Sequence, residues 1–176
     1  MHQDTIGTVM ITQEEINAKA AEIGQQIEKD FAGEEVVLIG ILRGAVLWMG
    51  DIMKNVNLVM VIDFMAVSSY GASTKSSGVV KINKDLDTNI SGKNVIIVED
   101  IVDSGTTLNY LKAYLQNHDA KCVKICTLLD KQEGRRVDID VDYIGFTVDD
   151  RFIVGYGLDF DQKYRNLPYI TYLEQE

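Results

Sequence analysis

The sequence predicts an α/β fold built on a mainly parallel sheet, and three observations predict it. Short apolar runs, VVLIG (36–40) and the start of NVIIVED (94–100), have the composition of strands buried on both faces. Longer stretches between them carry apolar residues at helical spacing. The two kinds alternate along the chain, which is the pattern of the helical crossovers that parallel strands require. A length of 176 residues gives room for one domain with a real core, so residues 1–176 read as a single domain.

The elements follow in order. Thr12-x-x-Glu15 is a capping box, and Ile16, Ala20, Ile23 and Ile27 behind it share one face of a helix that should end near Gly33. VVLIG is the first strand and residues 44–54 the next helix. LVMVIDFMAV (58–67) is a strand, and SSYGASTKSSG (68–78), small, polar and glycine-rich, is a loop. VVKIN (79–83) and NVIIVED (94–100) are strands, with a helix from about Thr106 to Gln116. KCVKICTLLD (121–130), VDYIGF (141–146) and FIVGY (152–156) complete the sheet. There is no repeat, low-complexity tract or linker, and Pro168 is the one proline.

Composition excludes several classes. A net charge of −10 argues against general nucleic-acid binding, which depends on Lys and Arg neutralising phosphates. No apolar run reaches the roughly 18 residues of a membrane span. Residues 1–10 lack the basic-then-apolar order of a signal peptide. The expectation is a cytoplasmic protein without membrane partners. Cys122 and Cys126 match neither C-x-x-C nor a zinc spacing and read as reduced, partly buried thiols. His2 and His118 sit in polar surroundings, and no H-x-x-x-H pair occurs.

The chemistry concentrates in VIIVEDIVDSGTTL (95–108). An apolar strand runs into Glu99 and Asp100, Asp103 follows, and Ser104, Gly105, Thr106 and Thr107 lead into a helix. Backbone N–H groups, hydroxyls and the positive end of the helix dipole make that start a cradle for one phosphate monoester. Glycine lets the backbone approach closely. Carboxylates beside a phosphate repel it unless they face ribose hydroxyls or a bound magnesium ion. An acidic pair next to a phosphate cradle therefore fits a ribose 5-phosphate. No G-x-x-x-x-G-K occurs, so this is not a Walker loop.

This segment resembles the phosphoribosyl-pyrophosphate (PRPP) motif of type I phosphoribosyltransferases. Further segments, covering about Ile11 to Tyr172, resemble the hypoxanthine-guanine branch of that family. The resemblance implies that family's fold: a central mainly parallel sheet flanked by helices, with a small base-binding hood. Leu42-Arg43-Gly44 is similar to its pyrophosphate-binding loop, where relatives often have Lys in place of Arg43 and a cis peptide before it. Ser69-Tyr70 resembles its lid. In LLDK (128–131), Lys131 would read the 6-oxo group of a purine. In DDRFIVGYGLDF (149–160), Phe152 would stack on the base, the Ile153 backbone would bond its edge, and Asp159 would help hold magnesium with Glu99 and Asp100. Arg165 would contact pyrophosphate.

The implied reaction moves a phosphoribosyl group from PRPP to N9 of hypoxanthine or guanine, with Asp103 as general acid/base and Mg2+ as cofactor. A homodimer or homotetramer is the implied assembly. Two other functions share parts of the pattern. A nucleic-acid-binding regulator that senses PRPP needs a basic face, which an acidic chain lacks. A phosphoacceptor signalling domain has an acidic cluster and could use Lys131, yet it leaves the Ser-Gly-Thr-Thr helix start without a role.

Overall fold

The structure, a computed structural model, describes residues 5–69 and 80–174. Its elements are β1 (Thr5–Ile11), α1 (Gln13–Asp30), β2 (Val36–Leu42), α2 (Val46–Lys54), β3 (Met60–Ser69) and β4 (Val80–Lys84). They continue with β5 (Asn94–Val102), α3 (Thr106–Gln116), β6 (Cys122–Asp130), β7 (Tyr143–Thr147), β8 (Ile153–Val154) and β9 (Ile170–Glu174).

The main sheet has six strands in the order β4-β3-β2-β5-β6-β7. All neighbours are parallel except β4, which pairs antiparallel with β3. Its central strands are apolar on both faces because both faces are covered. Val36 and Leu38 of β2, Ile96 and Val98 of β5, and Cys126 and Leu128 of β6 pack with α1 and α2. The alternate residues Val37, Ile39, Val95, Ile97, Val123 and Ile125 pack with Leu108, Leu111 and Leu115 of α3. The period-2 alternation of the strand thus sorts one continuous apolar run between two cores.

Helix α1 begins as its capping box predicts. The Glu15 amide donates to Thr12 Oγ1 at 3.2 Å, and the Thr12 amide donates to Glu15 Oε2 at 2.7 Å. Its helical stripe, Ile16, Ala20, Ile23 and Ile27, is fully buried. Helix α3 spans the predicted residues. Both cysteines are free, and burial pushes the Cys126 thiol up to about 12, so it is held unreactive.

The expected last strand is a correction. Residues 152–156 do not complete the main sheet. Only Ile153–Val154 are extended, and they join a second, antiparallel sheet of order β1-β9-β8. Gly155 (φ +97°), Tyr156 (φ +50°) and Gly157 (φ +99°) turn the chain back at once. The central strand of this small sheet, β9, and the edge strand β1 beside it come from opposite ends of the chain, Thr5 pairing with Glu174 and Ile11 with Ile170. Ile11, Ile153 and Ile170 pack into the same core as α1 and α2. The small sheet therefore caps one end of the large one as a hood.

The connections out of the large sheet place the site. From β2 the chain crosses through α2 to β3 on one side; from β5 it crosses through α3 to β6 on the other. The direction of winding reverses between β2 and β5. Beyond the carboxyl ends of these two strands lies the crevice where such sheets bind ligands.

Candidate active site

A cleft of about 350 Å3 opens at that switch point. Its walls are the turns after β2 and β5 and the segment after β8. It brings together Leu42, Arg43 and Gly44 from the first, Glu99, Asp100, Asp103, Ser104, Gly105 and Thr107 from the second, and Asp159 and Arg165 from the third. Thr106 lies between two of these residues at the start of α3, and its amide donates to Ser104 Oγ at 3.3 Å.

The acidic pair lies within β5, which runs two residues further than the sequence suggests. Burial, reinforced by the neighbouring Asp100 charge, holds the Glu99 carboxyl well above its ordinary range. Burial also raises Asp100, to about 6, against the pull of its hydrogen bond from the Ile101 amide and of the Arg165 charge. Two adjacent carboxyls in this state favour hydroxyl donors or a cation as partners. Gly44 is buried against Asp100, and a Cβ there would overlap the carboxylate.

Gly105, just before α3, lies in the left-handed region at φ +77°, and among the described residues the one side-chain acceptor at the helix start is Ser104 Oγ, on the Thr106 amide. The Thr107 and Leu108 N–H groups that follow have no side-chain acceptor among the described residues, and both residues line the cleft. A Cβ on Gly105 would meet Ile139 at 2.9 Å and Arg135 and Val137 at 3.2 Å. Gly105→Val is therefore expected to disturb both loop and fold, and Thr107→Ala to leave the fold intact. Both should weaken PRPP binding by roughly 10–100-fold, the range for one hydrogen bond to a charged group. Calorimetric titration with PRPP checks this; unchanged affinity in both variants removes the phosphate from this helix start.

The segment after β6 braces the same loop from behind. The Ser104 carbonyl accepts from the Arg136 amide at 3.0 Å and the Val137 amide at 3.3 Å. Arg135 is ion-paired with the buried Asp130, which ties this segment back to its own strand. Gly134 sits against the Asp103 carboxylate, with no space for a Cβ between them. Gly134→Ala should shift Asp103 and lower kcat by roughly 10–100-fold, since a misplacement of about 1 Å costs on that order. Steady-state kinetics alongside a melting curve separates this from loss of fold. A kcat equal to that of the parent chain would show that Asp103 tolerates the shift.

Two arginines meet above the cleft. The Leu42–Arg43 peptide is cis. Arg43 Nη1 donates to Gln162 Oε1 at 2.9 Å, and Arg165 Nη2 donates to the same oxygen at 3.1 Å. Arg165 also pairs with Asp159 at 2.7 Å and donates to the Gly157 carbonyl at 2.6 Å. Gln162 thus holds the two guanidinium groups together. Sequence reading missed it, because a lone glutamine in a turn at φ +63° carries no periodic signal. Asp159 is engaged with Arg165. Among the described residues, no set of three or more His, Cys, Asp or Glu converges as metal ligands.

The residues expected to meet the base lie beside the cleft. The Lys131 amide donates to the Val102 carbonyl at 2.9 Å, which sets Lys131 next to the start of the Asp103 loop. Its side chain is nearly buried, and its ammonium lies 3.2 Å from Asp150 Oδ1. Phe152 is 44% exposed, and its ring stands perpendicular to that of Phe160, 5.4 Å away between centroids. Ile153 is buried in the hood. Of the expected lid, Ser69 ends β3 and Tyr70 lies outside the described residues.

The fold and the cleft define a class, and comparison with known proteins agrees. Residues 10–161 match the phosphoribosyl transferase domain, and the chain belongs to that family. Among its relatives, hypoxanthine-guanine phosphoribosyltransferase of Streptococcus thermophilus is 50% identical over 176 residues, covering 100% of this chain and 98% of the relative. The enzyme of the same name from Bacillus subtilis is 48% identical over 174 residues, covering 99% and 97%. A crystal structure of a hypoxanthine-guanine phosphoribosyltransferase from Bacillus anthracis superposes with a TM-score of 0.93 at 48% identity, covering 97% of this chain and 100% of that one.

Proposed function

We propose that the chain is a purine salvage enzyme that transfers the 5-phosphoribosyl group from PRPP to N9 of hypoxanthine or guanine, giving IMP or GMP and pyrophosphate. The observation that carries this reading is a convergence at one switch point. A helix start suited to a phosphate, an acidic pair suited to ribose hydroxyls and two bridged arginines share a single cleft, and a nearly buried lysine flanks it.

In this reading the 5′-phosphate sits on Ser104–Thr107, and Glu99 and Asp100 face the ribose hydroxyls. The 42–44 turn with Arg43 and Arg165 holds pyrophosphate. Phe152 stacks on the purine, the Ile153 backbone bonds its edge, and Lys131 donates to the 6-oxygen. The bond from C1 to the pyrophosphate oxygen breaks as the bond from C1 to N9 forms. The proton released from the imidazole edge of the base goes to Asp103. Positive charge develops at C1, so most of the rate enhancement comes from orientation and electrostatics.

Magnesium fits this site as an ion shared with the substrate. The raised carboxyls of Glu99 and Asp100 regain their charge beside a cation, and one or two protein carboxylates are the usual complement for this metal, with substrate oxygens and water filling the rest. Glu99 and Asp100 would hold it, joined by Asp159 once pyrophosphate draws Arg165 away from that carboxylate, and when bound it would offset the charge of the departing pyrophosphate. A cytoplasmic location fits this chemistry, and no helix among the described residues is long and apolar enough to cross a membrane. A homodimer or homotetramer is the proposed assembly, to be read by light scattering.

The direct test incubates the purified chain with PRPP, Mg2+ and each of hypoxanthine, guanine, xanthine, adenine and uracil. IMP and GMP should form, with one pyrophosphate released per nucleotide. Absence of nucleotide from every 6-oxopurine would overturn the proposal. Nucleotide from uracil alone would keep the PRPP site and discard the purine.

A further inference from the structure

Lys131 directly follows β6 with its side chain 11% exposed, and its ammonium has one side-chain partner among the described residues: Asp150 Oδ1, at 3.2 Å. Asp150 itself is 63% exposed and makes no other side-chain hydrogen bond or ion pair among the described residues. The anion thus stands at the rim, and the cation lies beneath it. Asp150 lies in the turn between β7 and β8, two residues before Phe152. That turn is docked onto the end of β6, the Val148 amide donating to the Asp130 carbonyl at 3.0 Å. One turn therefore carries both the counter-ion of Lys131 and the aromatic expected to lie on the base.

We propose that Asp150 is a positioning residue for purine recognition. An ammonium has three donors and no acceptor, so Asp150 occupies one and leaves two for an incoming carbonyl oxygen. A lysine side chain is long and flexible, and fixing it on arrival of the base costs conformational entropy. With Asp150 in place the ammonium is already fixed and already paired before the base arrives. The effect falls on binding of the base and spares PRPP, whose groups lie on the other side of Asp103. This proposal rests on the reading of Lys131 as the contact for the 6-oxygen.

The test is a kinetic cycle on the full chain with hypoxanthine, PRPP and Mg2+, using Asp150→Asn, Asp150→Glu, Lys131→Gln and the double variant Asp150→Asn/Lys131→Gln. Asp150→Asn should raise the KM for hypoxanthine about three- to tenfold, in keeping with one half-exposed ion pair. The KM for PRPP should stay within about twofold. Asp150→Glu, which keeps the charge, should recover most of the loss. In the Lys131→Gln background, Asp150→Asn should change the hypoxanthine KM by less than about 1.5-fold. Equal effects on both substrates, or an undiminished effect without Lys131, would assign Asp150 a general structural role and overturn the proposal. A silent Asp150→Asn beside a damaging Lys131→Gln sinks this proposal alone. A silent Lys131→Gln sinks the base contact and this proposal with it.

Discussion

Asp103→Asn should lower kcat by roughly 10²–10⁴, the range for losing general acid/base help. Asp103 is exposed in the cleft at the end of β5, one residue after Val102, whose carbonyl binds the Lys131 amide. Its carboxylate is thereby placed between the phosphate loop and the residues expected to hold the base. Asparagine keeps the shape, and the contact with Gly134 leaves space for an isostere, so the loop should stay in place. What is lost is the ability to accept a proton. The KM for PRPP should therefore change far less than kcat, and the melting temperature should hardly move. Single-turnover measurement isolates the chemical step from product release. A parent-like single-turnover rate would remove Asp103 from proton transfer.

The second large effect concerns choice of base. kcat/KM for hypoxanthine or guanine should exceed that for adenine by at least roughly 10³. Lys131 donates hydrogen bonds and accepts none. A 6-oxopurine offers it an oxygen, whereas adenine offers amino hydrogens, so one good contact becomes two opposed donors. The lysine is nearly buried, which raises the cost of leaving its remaining donors unmet. Asp150 would still hold one of them, so the charge is never wholly unpaired, and this keeps the expected ratio below the 10⁴–10⁵ of the strictest polar sites. Lys131→Gln should narrow the gap, because an amide both donates and accepts. The check is kcat/KM for the three bases on both proteins. Near-equal use of adenine and hypoxanthine by the parent chain would show that Lys131 does not read the 6-position, and the PRPP site would be unaffected.

Much of this architecture could be read along the chain because the governing interactions are local. Thr12 and Glu15 meet within one helical turn, so their capping box is visible as a four-residue pattern. The apolar runs of β2, β5 and β6 announce strands covered on both sides. The phosphate cradle is likewise a contiguous piece, Asp103 to Thr107, whose conformation follows from a glycine and a helix start. Phe152 was harder, since an aromatic beside apolar residues is more often core; its exposure came only from the fold.

By itself, then, the sequence determined the α/β class, the main strands and helices, and the segments from which the site is drawn. Tertiary structure alone decided that 152–156 leaves the main sheet and that the ends of the chain close a second one. It alone placed Gln162 between Arg43 and Arg165, Gly134 against Asp103, and Asp150 on Lys131. The reason is physical. Caps, periods and helix starts act over a few residues and leave their mark in the local pattern. The pairing of Thr5 with Glu174, or of Arg43 with Gln162, joins points separated by more than a hundred residues. Such contacts form only once the packed cores have covered the entropy of closing those loops, and no local pattern encodes them.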